Sequence, residues 1–135
     1  RGLVGSEMCI RDSADKPDQL SVTAYGDGWI AINGQQHTTS VVLGAQGSIR
    51  EWGVARFEDL AEQHFAGLLE AGAPAPELVV LGSGRRLRFV PPAMLRPLIE
   101  RRIGVETMDT AAACRTFNIL AGEGRRVIAA LLIEA

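Results

Sequence analysis

Glu77-Leu78-Val79-Val80-Leu81-Gly82-Ser83-Gly84 is a short apolar run closed by two glycines around a serine. A run of this length between turn residues fits a strand buried on both faces, which we place at residues 77–81. After residues 85–90, Pro91-Pro92 opens a helix expected to turn Leu95, Leu98 and Ile99 inward, since proline is tolerated in a first turn. Gly104 is expected to close that helix, and residues 105–108 read as a second strand. Asp109 or Thr110 supplies an N-cap for a helix running through Phe117 and Leu120 to Gly122. Residues 127–133 are almost wholly apolar and read as a last, central strand. The order β-α-β-α-β requires crossover connections over a mostly parallel sheet, so the fold class is α/β.

Upstream, Leu20, Val22 and Ala24 alternate with Ser21, Thr23 and Tyr25, the period of a half-buried strand. Gly26-Asp27-Gly28 turns the chain into Trp29-Ile30-Ala31-Ile32, and Asn33-Gly34 is a strong hairpin signal. A third strand is expected over residues 38–43, making the first third an N-terminal antiparallel β-meander. Residues 44–53 read as a loop. From Val54, apolar residues at Phe57, Leu60, Ala61, Phe65, Leu68 and Leu69 follow one helical face, and Gly72 and Pro74 are expected to end that helix.

The 135 residues suit one domain. Hydrophobic residues at 47% against 22% charged exclude a disordered chain. A net charge of −2 provides no global positive field for nucleic acid, and the arginine pairs are balanced by acids with few aromatics free for stacking. No apolar run reaches the roughly 20 residues of a membrane-spanning helix. Two cysteines, Cys9 and Cys114, are too few for a disulfide framework or a structural zinc site, which points to a reducing, cytoplasmic setting.

Ligands on open α/β sheets bind beyond the carboxyl ends of the strands. Here those ends are Gly82-Ser83-Gly84 and Met108-Asp109-Thr110, and about ten residues separate Leu81 from Pro92, against roughly 2–6 in most such loops. Backbone N–H groups at Gly82, Ser83 and Gly84, the helix start at Thr110 and the charge of Arg85 with Arg86 and Arg88 suit an anion. The alternative is that the glycines only turn the chain and the arginines are solvated. The segment is not a dinucleotide fingerprint, because Leu87 stands where the third glycine belongs. Cys114, flanked by Ala113 and followed by Phe117, reads as a buried core residue rather than a nucleophile served by His64 or His37. Glu106 and Asp109 would make an acid–base pair, but capping explains Asp109, and pairing with Arg115 or Arg125 explains Glu106. His64 reads as a boundary residue, and the ligand supply for a metal site is lacking.

From Glu77 to Ile133 the chain resembles the Mth938-like domain family, which includes the mitochondrial complex I assembly factor 3, the adipogenesis-associated Mth-domain protein and many bacterial members. The resemblance rests on Leu81-Gly82-Ser83-Gly84, on Gly104, Glu106, Met108 and Thr110, on Thr116, Asn118 and Leu120, and on Glu123-Gly124-Arg125. Weaker similarity extends it over residues 18–135. It implies a mixed central sheet flanked by helices in a single layered α/β domain, here residues 20–135. It also implies a domain acting through contacts with another protein, in assembly of complex I or another membrane complex, and it brings no catalytic residue and no cofactor. Ser83 stands where threonine is common and Phe117 where tyrosine is common, so no mechanism here depends on a phenolic hydroxyl at position 117. The expectation is therefore a non-catalytic domain, with a small-molecule or anion pocket at the carboxyl edge as the alternative. Residues 1–13 show no periodicity and no signal-peptide pattern, and they resemble translated sequencing-adapter read-through, the alternative being a disordered native leader. Residues 14–19 read as a polar lead-in.

Overall fold

The computed structural model describes residues 8–9 (backbone), 20–45, 47–69 and 75–134. Of the leader and lead-in, only the Met8–Cys9 backbone is therefore described. It forms β1, which pairs antiparallel with β2 (Val22–Gly26). Strand β2 pairs with β3 (Trp29–Ile32), and β3 with β4 (Gln35–His37), which gives the expected meander. The hairpin between β3 and β4 turns at Asn33 and Gly34, both at positive φ (50° and 85°), as a tight two-residue hairpin loop requires.

The third strand expected over residues 38–43 does not belong to the meander, whose last strand, β4, lies earlier at Gln35–His37. Strand β4 stays in the meander, whereas β5 (Val41–Gly44) leaves it and enters the central sheet. The polar residues Thr38, Thr39 and Ser40 make the crossing between sheets, and the apolar Val41-Val42-Leu43 then has two faces to bury. The loop expected over residues 44–53 contains β6 (Ile49–Glu51), an edge strand antiparallel to β5.

The central sheet has the order β6-β5-β9-β7-β8, where β7 is Leu78–Gly82, β8 is Gly104–Met108 and β9 is Val127–Leu131. Strands β8, β7 and β9 run parallel, and β5 and β6 run antiparallel to their neighbours, so the sheet is mixed. Its middle strands are apolar on both faces because both faces are covered. Val80, Ala129, Leu131, Val41 and Leu43 pack toward the meander and α3 (Thr110–Gly122). The alternate residues Val79, Leu81, Ala130, Leu132 and Val42 pack toward Phe65, Leu68 and Leu98 on the other side.

The single helix expected from Val54 is broken. A 3₁₀ turn at Phe57–Asp59 ends with Leu60 extended (φ −64°, ψ 139°), and α1 (Glu62–Ala66) restarts after an extended Ala61. His64 Nδ1 accepts the Ala61 N–H at 2.9 Å, and Leu60 and Phe65 are both buried. The break lets apolar residues that one straight helix would carry reach the same core. Gly72 and Pro74, expected to end that helix, lie outside the described residues.

The proline-led segment is a 3₁₀ turn at Pro92–Leu95 running into α2 (Arg96–Ile99). Leu98 is fully buried, but Ile99 is exposed, because only one position per turn of so short a helix faces the sheet. Gly104 does not close this helix: a turn with Arg102 at φ 58° does, and Gly104 opens β8.

Candidate functional site

The carboxyl ends of β7, β8 and β9 lie side by side, with Gly82 opposite both Met108 and Leu131. The chain therefore brings Ser83-Gly84, Asp109-Thr110 and Leu132-Ile133-Glu134 to one edge, as the strand order predicts. The Ser83 N–H donates to Met108 O (2.8 Å), the Thr110 N–H to Gly84 O (2.8 Å) and the Leu132 N–H to Gly82 O (3.0 Å). Thr110 Oγ1 accepts from the Gly84 N–H at 2.9 Å and donates to Leu132 O at 2.7 Å, so one hydroxyl ties three connections together. Asp109 caps α3 by accepting the Ala112 N–H at 2.7 Å. The backbone donors of Ser83, Gly84 and Thr110 thus have acceptors within the chain, whereas Arg85 and Arg86 are exposed.

Ser83 is fully buried. Its hydroxyl donates to Arg86 O (2.7 Å) and accepts the Arg88 N–H (3.0 Å), folding residues 83–88 back on themselves. The Arg88 guanidinium turns inward to Ser83 O (2.7 Å) and to the Glu134 carboxylate (2.5 Å), and it stacks 4.5 Å from the Phe57 ring centroid. Glu134 also accepts the Phe57 N–H at 2.9 Å. This Arg88–Glu134–Phe57 cluster joins positions 46 and 77 residues apart, and no local pattern in the sequence announces it.

Two concave regions flank this edge. One, of about 700 Å³, lies between Thr38, Thr39 and Ser40 on one side and Gly53, Val54 and Arg56 on the other, with Arg85 and Glu134 at its end. The second, about 160 Å³, lies between the Gly26-Asp27-Gly28 turn and Gly84, Arg85 and Thr110. Arg85 lines both, whereas Ser83, Met108 and Asp109 line neither.

The family-motif residues have separable jobs. Asn118 reaches from α3 to β2, accepting the Val22 N–H and donating to Val22 O, both at 2.9 Å. Thr116 Oγ1 donates to the Met108 sulfur at 3.3 Å. Glu123 and Gly124 turn the chain out of α3, with Gly124 at φ 80°, the left-handed conformation suited to glycine after a helix. Arg125 then pairs with Glu77 at 2.9 Å. That hydrogen bond, with one from the Arg126 backbone, holds the Glu77 carboxyl below its ordinary range. Glu106 is exposed on β8, and its expected partners are engaged elsewhere: Arg125 with Glu77, and Arg115 with the Tyr25 hydroxyl.

Cys114 is fully buried, as its neighbours suggest, and burial pushes its thiol up to about 12. A thiol so protonated is a poor nucleophile. Iodoacetamide at pH 8 is therefore expected to leave Cys114 unmodified in the folded chain and to alkylate it fully in guanidinium chloride. Peptide mass mapping checks this, and rapid native alkylation would refute the burial.

A mixed five-stranded sheet covered by α3 and a meander on one face and by short helices on the other defines a layered α/β domain of the Mth938 type. Residues 22–132 match the profile of the DUF498/DUF598 family of proteins of unknown function, and the chain belongs to that family. Among its relatives is the bovine NADH dehydrogenase [ubiquinone] 1 alpha subcomplex assembly factor 3, 35% identical over 118 residues. That alignment covers 87% of this chain and 63% of the relative, so the chain spans about three-fifths of that protein's length. A crystal structure from Bordetella parapertussis is 41% identical and superposes with a TM-score of 0.79, covering 86% of this chain and 97% of that one. The solution structure of a Bordetella pertussis protein described as a Mth938-like domain is 37% identical, with a TM-score of 0.75 and 93% of each chain covered.

Proposed function

We propose that this domain acts through protein–protein contacts in the assembly of a membrane complex, with respiratory complex I the first candidate. The observation carrying this reading is the 35% identity, over 87% of the chain, to a protein named for complex I assembly. The carboxyl edge supports it, because the backbone donors a ligand would use there are engaged within the chain. No helix among the described residues is long and apolar enough to cross a membrane, so contact with a membrane complex would be made from its surface.

The test is complementation. A bacterium that carries complex I and one member of this family is deleted for that member and then supplied with this chain. We expect membrane NADH:quinone activity and the assembled complex on native gels to fall in the deletion strain and to return with the chain. Normal complex I in the deletion strain would overturn the assignment. A second reading, a small-molecule or anion site, is favoured by the cleft of about 700 Å³ that Arg85 borders. It predicts a metabolite-induced rise in Tm that Arg85→Ala abolishes.

A further inference from the structure

Leu87 and Phe89 are 50% and 71% exposed, the latter the most exposed large apolar side chain among the described residues. They stand on either side of Arg88, which turns inward to Ser83 O and Glu134. The loop that presents them is braced from inside, since the fully buried Ser83 hydroxyl bonds both Arg86 O and the Arg88 N–H. A fully buried serine and an inward-turned arginine thus fix the backbone that leads into an exposed phenylalanine. The loop itself carries Arg85, Arg86 and the Glu134-paired Arg88 and no acid between Gly84 and Val90, in a chain whose net charge is −2. Arg85 and Arg86, adjoining Leu87, are exposed.

Aromatic and arginine side chains are the residues enriched where proteins dock, and an anchor already ordered loses little freedom on binding. Two apolar side chains give only a shallow insertion into lipid, short of what stable membrane anchoring takes. We propose that Leu87 and Phe89 are the anchor of a docking surface for a protein partner that offers an apolar pocket rimmed by carboxylates, with Arg85 and Arg86 meeting that rim. The proposal rests on the protein-contact reading above and assigns the contact to one loop.

The experiment uses the full chain in the complementation strain. Phe89 and, as a control at the far end of α3, Ile119 are each replaced by photoreactive p-benzoylphenylalanine. Irradiation is expected to link position 89, and not position 119, to the same protein that co-purifies with the unsubstituted chain. Phe89→Asp is expected to weaken that association by roughly thirtyfold, the loss of a hot-spot side chain, with Tm unchanged. Arg85→Glu with Arg86→Glu should weaken it too, and reversing the charge of the partner's rim carboxylates should restore it. A partner retained at full strength by Phe89→Asp overturns this proposal and leaves the protein-contact reading standing. Failure of the unsubstituted chain both to complement and to retain any partner overturns both. Crosslinks to a second copy only, or Phe89-dependent binding to phosphatidylglycerol vesicles without a protein crosslink, also overturn it, in favour of self-association or membrane docking.

Discussion

Asn118→Ala is expected to lower the stability of the domain by roughly 2–6 kcal/mol, the cost of leaving two buried backbone groups without partners at about 1–3 kcal/mol each. The Asn118 amide satisfies both the N–H and the carbonyl of Val22, a residue with no solvent exposure and 96 positions away in sequence. It therefore does for β2 what a neighbouring strand would do, and it fastens the meander to α3. Asn118→Asp keeps the acceptor for the Val22 N–H but sets a second oxygen against Val22 O. Its loss at neutral pH is expected to equal or exceed that of the alanine variant. Urea denaturation followed by circular dichroism measures both, with the midpoint falling and the slope unchanged if native compactness is kept. A loss below about 1 kcal/mol for Asn118→Ala would mean that water replaces the amide, and that the meander is held by packing alone.

The elements that sequence reading recovered are those whose signal is local. Strand β7 and strand β9 show as continuous apolar runs because both their faces are covered, and α3 shows through its cap at Asp109 and its end at Gly122. The Asn33-Gly34 turn is visible because positive φ restricts residue choice. What escaped is set by distance. Strand β6 has an exposed–half-buried–exposed pattern that a loop would also show, and only its pairing with β5 makes it a strand. The break at Leu60-Ala61 keeps helical spacing in the sequence while the backbone extends, because tertiary burial of Leu60 and Phe65 outweighs the small gain of a longer helix. Ile99 fits an inward pattern on paper, yet α2 is too short to bury more than Leu98.

The carboxyl edge shows the same division. Topology located it, since parallel strands must end together, and Gly82-Ser83-Gly84 does meet Asp109-Thr110 there. Whether its donors are open depends on acceptors that no spacing rule supplies, namely Met108 O, Gly84 O and the Thr110 hydroxyl. The larger of the two concave regions beside it lies at Arg85 and the residues that link the meander to the central sheet. An alternating sequence such as Arg86-Leu87-Arg88-Phe89 carries no sign of which side chains turn in. Glu134 decides it, by drawing Arg88 inward.

Gly84→Ala is expected to cost about 3 kcal/mol, and its coupling to Arg88 tests whether this edge behaves as one unit. Gly84 has φ 103°, a conformation that a side chain strains by roughly 1–3 kcal/mol. A Cβ there would also sit 2.5 Å from Arg88 Nη2 and 2.6 Å from Glu134 Oε1, so the ion pair must move. Arg88→Met removes the cation over Phe57 and leaves Glu134 with the Phe57 N–H as its hydrogen-bond donor in this cluster. Breaking a fully buried pair costs about 3–5 kcal/mol. Because the two side chains keep 18% and 19% exposure, we discount that to roughly 2–3 kcal/mol. If Gly84→Ala acts partly by displacing the pair, the damage is shared, and the double variant should lose about 1–2 kcal/mol less than the sum of the single losses. Strict additivity in denaturant melts would show that Gly84 matters for backbone conformation alone. The cycle also bears on docking. Both single variants keep Leu87 and Phe89 but release the brace that orders them, so amide exchange over residues 84–90 should quicken and the partner should bind more weakly. Loosening without weaker binding would show that the anchor works by its chemistry and gains nothing from being held in place.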